Sequence, residues 1–187
     1  MRVIAGEFRS RILKSVPGDA TRPTPDRMRE TLFNILQTRI KGATFLDAYA
    51  GTGAVGIEAL SRGASHAFFL ERDKIALEAI RQNLASLGVE RRSTVVAGAV
   101  LRTLPSHRAD IVFLDPPYSL EREYLEVMEA LGTQSPPLVI VQHAVRFELA
   151  PQYGVLRRTR ISRQGDNALS FFAPEPPAAE PEAETSV

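Results

Sequence analysis

Phe45-Leu46-Asp47-Ala48-Tyr49-Ala50-Gly51-Thr52-Gly53-Ala54-Val55-Gly56-Ile57-Glu58-Ala59-Leu60 reads as a short buried strand, a glycine turn Gly51-x-Gly53-x-x-Gly56, and a helix. The order of the three parts says more than the glycines, because an isolated GxGxxG is a weak match. Between a strand and a helix, the first glycine permits the tight turn and the second lets a ligand approach the backbone. The third lets helix and strand pack closely. The N–H groups that open the helix then face the crevice. The plainer alternative is a βα turn of a generic α/β domain, with the glycines there for geometry alone.

Outward from this turn the pattern alternates strand and helix, as an α/β sheet requires. The helix runs to about Arg62 and Gly63 stops it. Ala67–Leu70 reads as a buried strand ending at Glu71, and 73–87 as an amphipathic helix closed by Gly88. Further strands fall at 93–97, 109–114 and 138–141, with a helix over 121–131. The segments 156–163 and 168–172 pair as a hairpin around Gly165-Asp166-Asn167. Upstream, residues 2–16 suggest a small basic β-hairpin. A helix then opens with Thr24 as cap, Pro25 in its first position and Asp26 against its dipole. Met28, Leu32, Ile35 and Leu36 give that helix a core stripe and leave Arg22, Arg27 and Arg29 available to solvent or ligand.

The totals suit one domain of 187 residues with short appendages. No run approaches a membrane-spanning length, and the N-terminus lacks the apolar core of a signal peptide. With no cysteine and three scattered histidines there is no disulfide framework and no metal-ligand spacing, so no metal is expected. A soluble cytoplasmic protein is the simplest reading, and a monomer fits it. The net charge of +1 hides an asymmetry. Residues 1–41 carry nine Lys/Arg against four Asp/Glu, residues 42–173 carry fourteen of each, and residues 174–187 carry four glutamates and no base. The basic N-terminal excess favours phosphate-bearing partners. The Pro/Glu/Ala-rich end, 174–187, reads as a disordered acidic tail.

Two further features carry chemistry. Glu71 follows Gly51 by twenty residues at the end of the second strand, where an acid accepts hydrogen bonds from ribose hydroxyls. The simpler reading is a strand-end carboxylate paired with Arg72 or another base. Asp115-Pro116-Pro117-Tyr118 follows the apolar strand 111–114 at the carboxyl edge of the sheet. The prolines remove two N–H donors and leave carbonyl oxygens as acceptors. Asp115 and the Pro116 carbonyl can together accept both hydrogens of an exocyclic amino group, while Tyr118 offers a ring for a planar base to stack on.

Asp47-x-x-x-Gly51-x-Gly53, Glu71 and the Asp115–Tyr118 tetrad together resemble the class I S-adenosylmethionine-dependent methyltransferases that modify amino nitrogens. More narrowly, residues 22–34 and 47–64 are similar to two signatures of the bacterial 16S rRNA guanine-N2 methyltransferase family of the RsmD type. The resemblance covers about residues 1–173. It implies an α/β fold with a Rossmann-like, seven-stranded methyltransferase sheet, mostly parallel with an antiparallel C-terminal hairpin. The basic hairpin and helix of 1–41 would then extend the same domain, and 42–173 would form its methyltransferase body. The implied donor is S-adenosylmethionine and the implied partner is 16S rRNA, within the small ribosomal subunit or an assembly intermediate. Carried over, Asp47, Tyr49, Ala50, Gly51, Thr52 and Gly53 line the methionine part of the donor. Glu71 and Arg72 lie by its ribose, and Ala99 and Val100 flank its adenine. Asp115, Pro116, Pro117 and Tyr118 are the catalytic set, and Arg9, Arg11, Arg22, Arg27 and Arg29 grip RNA phosphates. Gln142 stands where many members carry an acid, and Gln164–Asn167 departs from their usual Tyr-Gly turn. Methyltransferases of adenine N6 and of protein glutamine share the tetrad and remain alternatives within the class. A nicotinamide-dependent oxidoreductase or an RNA-binding assembly factor are alternatives outside it.

Overall fold

Burial on both faces explains why the first strands read as continuous apolar runs. In the computed structural model, which describes residues 1–16, 26–117 and 120–175, helix α1 (Asp26–Leu36) precedes strand β1 (Thr44–Ala48). Then come α2 (Ala54–Ser61), β2 (His66–Glu71), α3 (Lys74–Leu87), β3 (Ser93–Ala97) and the single turn α4 (Val100–Thr103). The chain continues through β4 (Ile111–Leu114), α5 (Glu121–Gln134), β5 (Leu138–Ala144), β6 (Gln152–Tyr153), β7 (Leu156–Gln164) and β8 (Asn167–Pro174). The sheet order is β3-β2-β1-β4-β5-β8-β7-β6. The first five strands in that order are parallel, and β8, β7 and β6 pair antiparallel. The two-residue β6 makes eight strands rather than the seven expected. It is too short to leave a periodic signal, as is α4.

Strand parity assigns the core. Leu46, Val112, Leu114, Val139 and Val141 point to the face covered by α4 and α5. Phe45, Ile111, Phe113 and Ile140 point to the face covered by α1 and α2. Asp73 caps α3 by accepting from Ala76 N at 2.9 Å, and Gly88 ends that helix at φ 68°. Helix α5 and strand β5 each run three residues beyond the expected ends, where polar residues mask the period.

The N-terminal hairpin is reduced to one antiparallel bridge, Arg2↔Ile12. Val3 N, Ser10 N and Leu13 N still bond across it, to Arg11 O, Val3 O and Met1 O, while the donors of residues 4, 5, 7 and 8 go to α2. Ile4 N and Ala5 N donate to the fully buried Glu58 carboxylate at 2.8 and 3.0 Å. Glu7 N donates to Ser61 O and Phe8 N to Ser61 Oγ. Val3, Phe8 and Leu13 then bury against Ile57, Leu60, Ile80 and Leu84 of α2 and α3. Asn83 clasps the far end, accepting from Lys14 N at 2.7 Å and donating to Lys14 O and Thr52 O. The expected cap and first position of α1, Thr24 and Pro25, lie outside the described residues, as does nearly all of the acidic tail. Among the described residues, no helix is long and apolar enough to cross a membrane.

Chain order reverses between β1 and β4: β2 and β3 lie to one side, β5 to the other. Ligands of open α/β sheets bind in the crevice at the carboxyl ends of the strands beside such a switch point.

Candidate active site at the carboxyl edge of the sheet

The crevice is built from the residues that leave β1, β2, β4 and β5. Register pairs Asp47 with Phe69 on one side and Phe113 on the other, and Phe113 with Ile140. Glu71, Asp115 and Gln142 each lie two residues beyond that layer, so all share the α1–α2 face. At the usual strand spacing, Glu71 and Asp115 are separated by two steps, about 10 Å. That is the span of a nucleoside-sized ligand.

The glycine turn is held by carboxylates. Asp47 is buried and accepts from Gly56 N at 2.8 Å, taking one donor at the start of α2 that the sequence had left facing the crevice. Burial pushes its carboxyl well above the usual range; the Gly56 N–H opposes this, and the charges of Asp115 and Glu71 add to it. Glu71 Oε2 accepts from Gly51 N at 2.9 Å, and its Oε1 accepts from Arg72 N and Asp73 N. Glu71 therefore takes the backbone of Arg72, not its guanidinium, which sets aside the simple ion pair with Arg72. Gly98 N bonds Glu71 O at 2.9 Å and brings Ala99 and Val100 alongside. Ala99 sits at the start of α4, and Val100 is buried in the core.

Two glycines matter for different reasons. Gly51 has φ +55° and nothing within 4 Å of where a Cβ would stand, so bare backbone meets open space. At Gly56 a Cβ would come to 2.4 Å from Phe69 Cε1, so only glycine lets α2 lie this close to β2. Tyr49 has φ +69°, an outlier for a bulky side chain. Its amide and that of Ala50 both reach Leu70 O, and its hydroxyl donates to Glu123 Oε1 at 2.8 Å. Burial, then the Glu123 contact, raises the Tyr49 phenol. Ala50 and Thr52 are buried beneath the turn, and Gly53 N closes it onto Ala50 O at 2.7 Å.

Across the crevice, Asp115 is half-buried, Pro116 buried and Pro117 exposed, while Tyr118 lies outside the described residues. The Pro116 carbonyl is engaged by Tyr124 Oη at 2.9 Å, and the same hydroxyl lies 3.0 Å from Gln142 O. One hydroxyl thus ties α5 to the ends of β4 and β5. Gln142 Oε1 is buried beside this junction without a hydrogen-bond partner among the described residues. Sequence reasoning passed over Tyr124 and Glu123, whose helical spacing looked like ordinary core and surface.

The basic residues are not brought together as a set. Arg9, Arg11 and Arg27 are exposed, with Arg11 Nη2 on Ser86 O at 2.8 Å, and Arg22 lies outside the described residues. Arg29 corrects the expectation of solvent access, since it is 0% exposed. Its Nη2 donates to Asp26 Oδ1 and Arg2 O, while Nε and Nη1 are buried without a partner among the described residues. The first turn of α1 tucks it beneath the N-terminal segment, which no helical periodicity could foretell.

The donor set fits S-adenosylmethionine. Glu71, held at the end of β2, can accept from ribose hydroxyls, and the bare backbone at Gly51 leaves room for the ligand beside it.

Comparison with known proteins agrees. Residues 1–173 match the family model described as conserved hypothetical protein 95. YlbH of Bacillus subtilis (strain 168) is 34% identical over 182 residues, 92% of this chain and 98% of that one. Ribosomal RNA small subunit methyltransferase D of Escherichia coli (strain K12) is 35% identical over 170 residues, 88% of this chain and 86% of that one. The solved structure of yhhF from Escherichia coli superposes with a TM-score of 0.83 at 32% identity, covering 94% of this chain and 98% of its own. With the strand order, the glycine turn and the carboxyl-edge acids already in place, the chain belongs to the conserved hypothetical protein 95 family, the RsmD-type methyltransferases.

Proposed function

We propose that this protein transfers a methyl group from S-adenosylmethionine to the exocyclic N2 of a single guanine in 16S rRNA. Its substrate would be the small ribosomal subunit or an assembly intermediate, met in the cytoplasm by a monomer. One observation carries the reading: Glu71, Asp47 and Asp115 stand at the carboxyl side of the adjacent strands β2, β1 and β4, around a glycine turn that Glu71 holds through Gly51 N. When bound, S-adenosylmethionine supplies an electrophilic methyl group on a cationic sulfur.

The chain's own residues would bind and orient. Glu71, immobilised by three backbone N–H groups, would hold the ribose, with Arg72 at its outer side. Asp47, Tyr49, Ala50, Gly51, Thr52 and Gly53 would line the methionine part, and Ala99 and Val100 would flank the adenine. Asp115 and the Pro116 carbonyl would accept the two amino hydrogens of guanine and turn the nitrogen lone pair inward. A carbonyl oxygen has two lone pairs, so Tyr124 leaves one for this contact and fixes its direction. Tyr118 would stack on the base, and Pro117 would keep the loop rigid. Positioning of this kind can be worth about 7–11 kcal/mol. Asp115 would also stabilise positive charge growing on nitrogen, so no separate histidine base is needed. The base must be presented outside a stacked helix, in a loop or flipped. Arg9, Arg11, Arg22 and Arg27 would grip phosphates around it.

Radiolabelled S-adenosylmethionine, incubated with small subunits from cells lacking this protein, tests the reading. Label recovered in N2-methylguanosine after digestion supports it. Label in adenine or protein replaces the substrate, and no label with the donor still bound overturns the enzyme.

A further inference from the structure

We infer that β7 is a second contact surface for the phosphate backbone of the RNA, flanking the target base. This rests on the rRNA reading above. Segment totals conceal this strand, because residues 42–173 balance fourteen bases with fourteen acids. Yet Leu156-Arg157-Arg158-Thr159-Arg160-Ile161-Ser162-Arg163-Gln164 holds four arginines and no acid. The neighbouring β8 carries no acid either.

The fold turns this run into an open cationic edge. Strand β6 covers only Leu156 and Arg157, so beyond Arg158 the outer edge of β7 meets no strand among the described residues. A register shift between Arg158 and Arg160 breaks the alternation. Arg160 then shares a face with Gln164, whose amide reaches Thr31 of α1 at 3.3 Å. Arg163 pairs with Ala168 in the register of the opposite face, beside His143. The bulge separates Arg158 from Arg160, and ordinary alternation then puts Arg160 and Arg163 on opposite sides of an edge that pairs with no strand among the described residues. Arg157 pairs with Glu175 at 2.9 Å, and Arg158 is anchored on Leu149 O. Arg160 and Arg163 are exposed and make no ion pair among the described residues.

Position points to the same partner. The β7–β8 turn is fastened to the end of β5 by Val145 N on Asp166 O at 2.8 Å. Arg163 thus stands at the carboxyl edge, three strand spacings from β4, or about 14 Å from the Asp115 column. That is a short reach along a single strand from a base seated in the crevice. Charged residues also guard edge strands against aggregation. That role needs charge of either kind and no location beside the crevice, so the experiment must separate the two.

The test compares Arg160→Gln/Arg163→Gln and Arg160→Lys/Arg163→Lys with wild type, using 16S rRNA transcript over a salt series. Light scattering reports the oligomeric state, and calorimetry with S-adenosylhomocysteine reports donor binding. Loss of two phosphate contacts should reduce the slope of log affinity against log salt by about 1.4–1.8 in the glutamine variant. The lysine variant should recover most of it, with donor affinity and scattering unchanged in both. A glutamine variant with the wild-type slope and affinity overturns the proposal. So does one that only aggregates, since the arginines would then be edge guards. Wild type without salt-dependent rRNA affinity would instead refute the rRNA reading itself.

Discussion

Replacing Glu58 by Ala asks whether one buried carboxylate fastens the N-terminal segment to the α/β body. Its oxygens accept from Ile4 N, Ala5 N and Arg62 Nε at 2.8, 3.0 and 2.8 Å, and the side chain is 0% exposed. Removal strands two half-buried backbone donors and a guanidinium that is 15% exposed. Breaking a buried charge network from one side costs about 3–5 kcal/mol. For a chain of this size each kcal/mol lowers Tm by about 2–4 °C, so a fall of about 6–20 °C is expected. Glu58→Gln keeps one acceptor oxygen and sets an NH2 against a backbone N–H, so its loss should be smaller. Thermal unfolding gives the magnitude, and amide exchange at Ile4 and Ala5 gives the location. Arg9 and Arg11 ride on the released segment, so under the proposed function rRNA affinity should fall. S-adenosylhomocysteine affinity should change far less, because Glu71 and Asp47 hold the glycine turn without Glu58. A Tm shift under about 2 °C, with exchange at Ile4 and Ala5 unchanged, would refute the reasoning.

Gly56→Ala should destabilise by about 1–3 kcal/mol through overpacking against Phe69, although alanine is the better helix former; a urea midpoint at or above wild type would show that the ring yields. Asp47→Asn should flatten part of the pH dependence of stability. Burial holds the folded carboxyl well above the usual carboxylate range, so the native state holds the proton more tightly and wild-type stability falls as pH rises through that range. The amide still accepts from Gly56 N, so the variant should gain on wild type from about pH 4 upward, and parallel stability curves would contradict the assignment. Asp115→Ala should lower methyl transfer by about 10²–10³-fold while donor binding, followed by calorimetry, stays near wild type; retained turnover would remove Asp115 from the reaction.

The sequence by itself determined the α/β alternation, the glycine turn with its flanking acid, and the position of the Asp115 tetrad. Each is a local statement. Strand and helix periods repeat within a few residues, and a turn needing positive φ selects glycine on the spot. Element ends slipped by about a turn where the apolar period faded, as at the close of α5 and β5. The tertiary structure decided what depends on partners far away in the chain. Glu58 and Ser61 claimed the donors of residues 4, 5, 7 and 8, which kept the expected hairpin short. Arg29 sits on the polar side of an amphipathic pattern, yet the N-terminal segment covers it. Tyr124 reads as one more core aromatic until its hydroxyl is found between the ends of β4 and β5. The arginines of β7 cancel in the charge sum, and only strand order shows that, among the described residues, their edge is unpaired and lies three strands from β4. Periodicity records which face of an element is apolar, but the groups that meet that face are fixed by the packing of the whole chain.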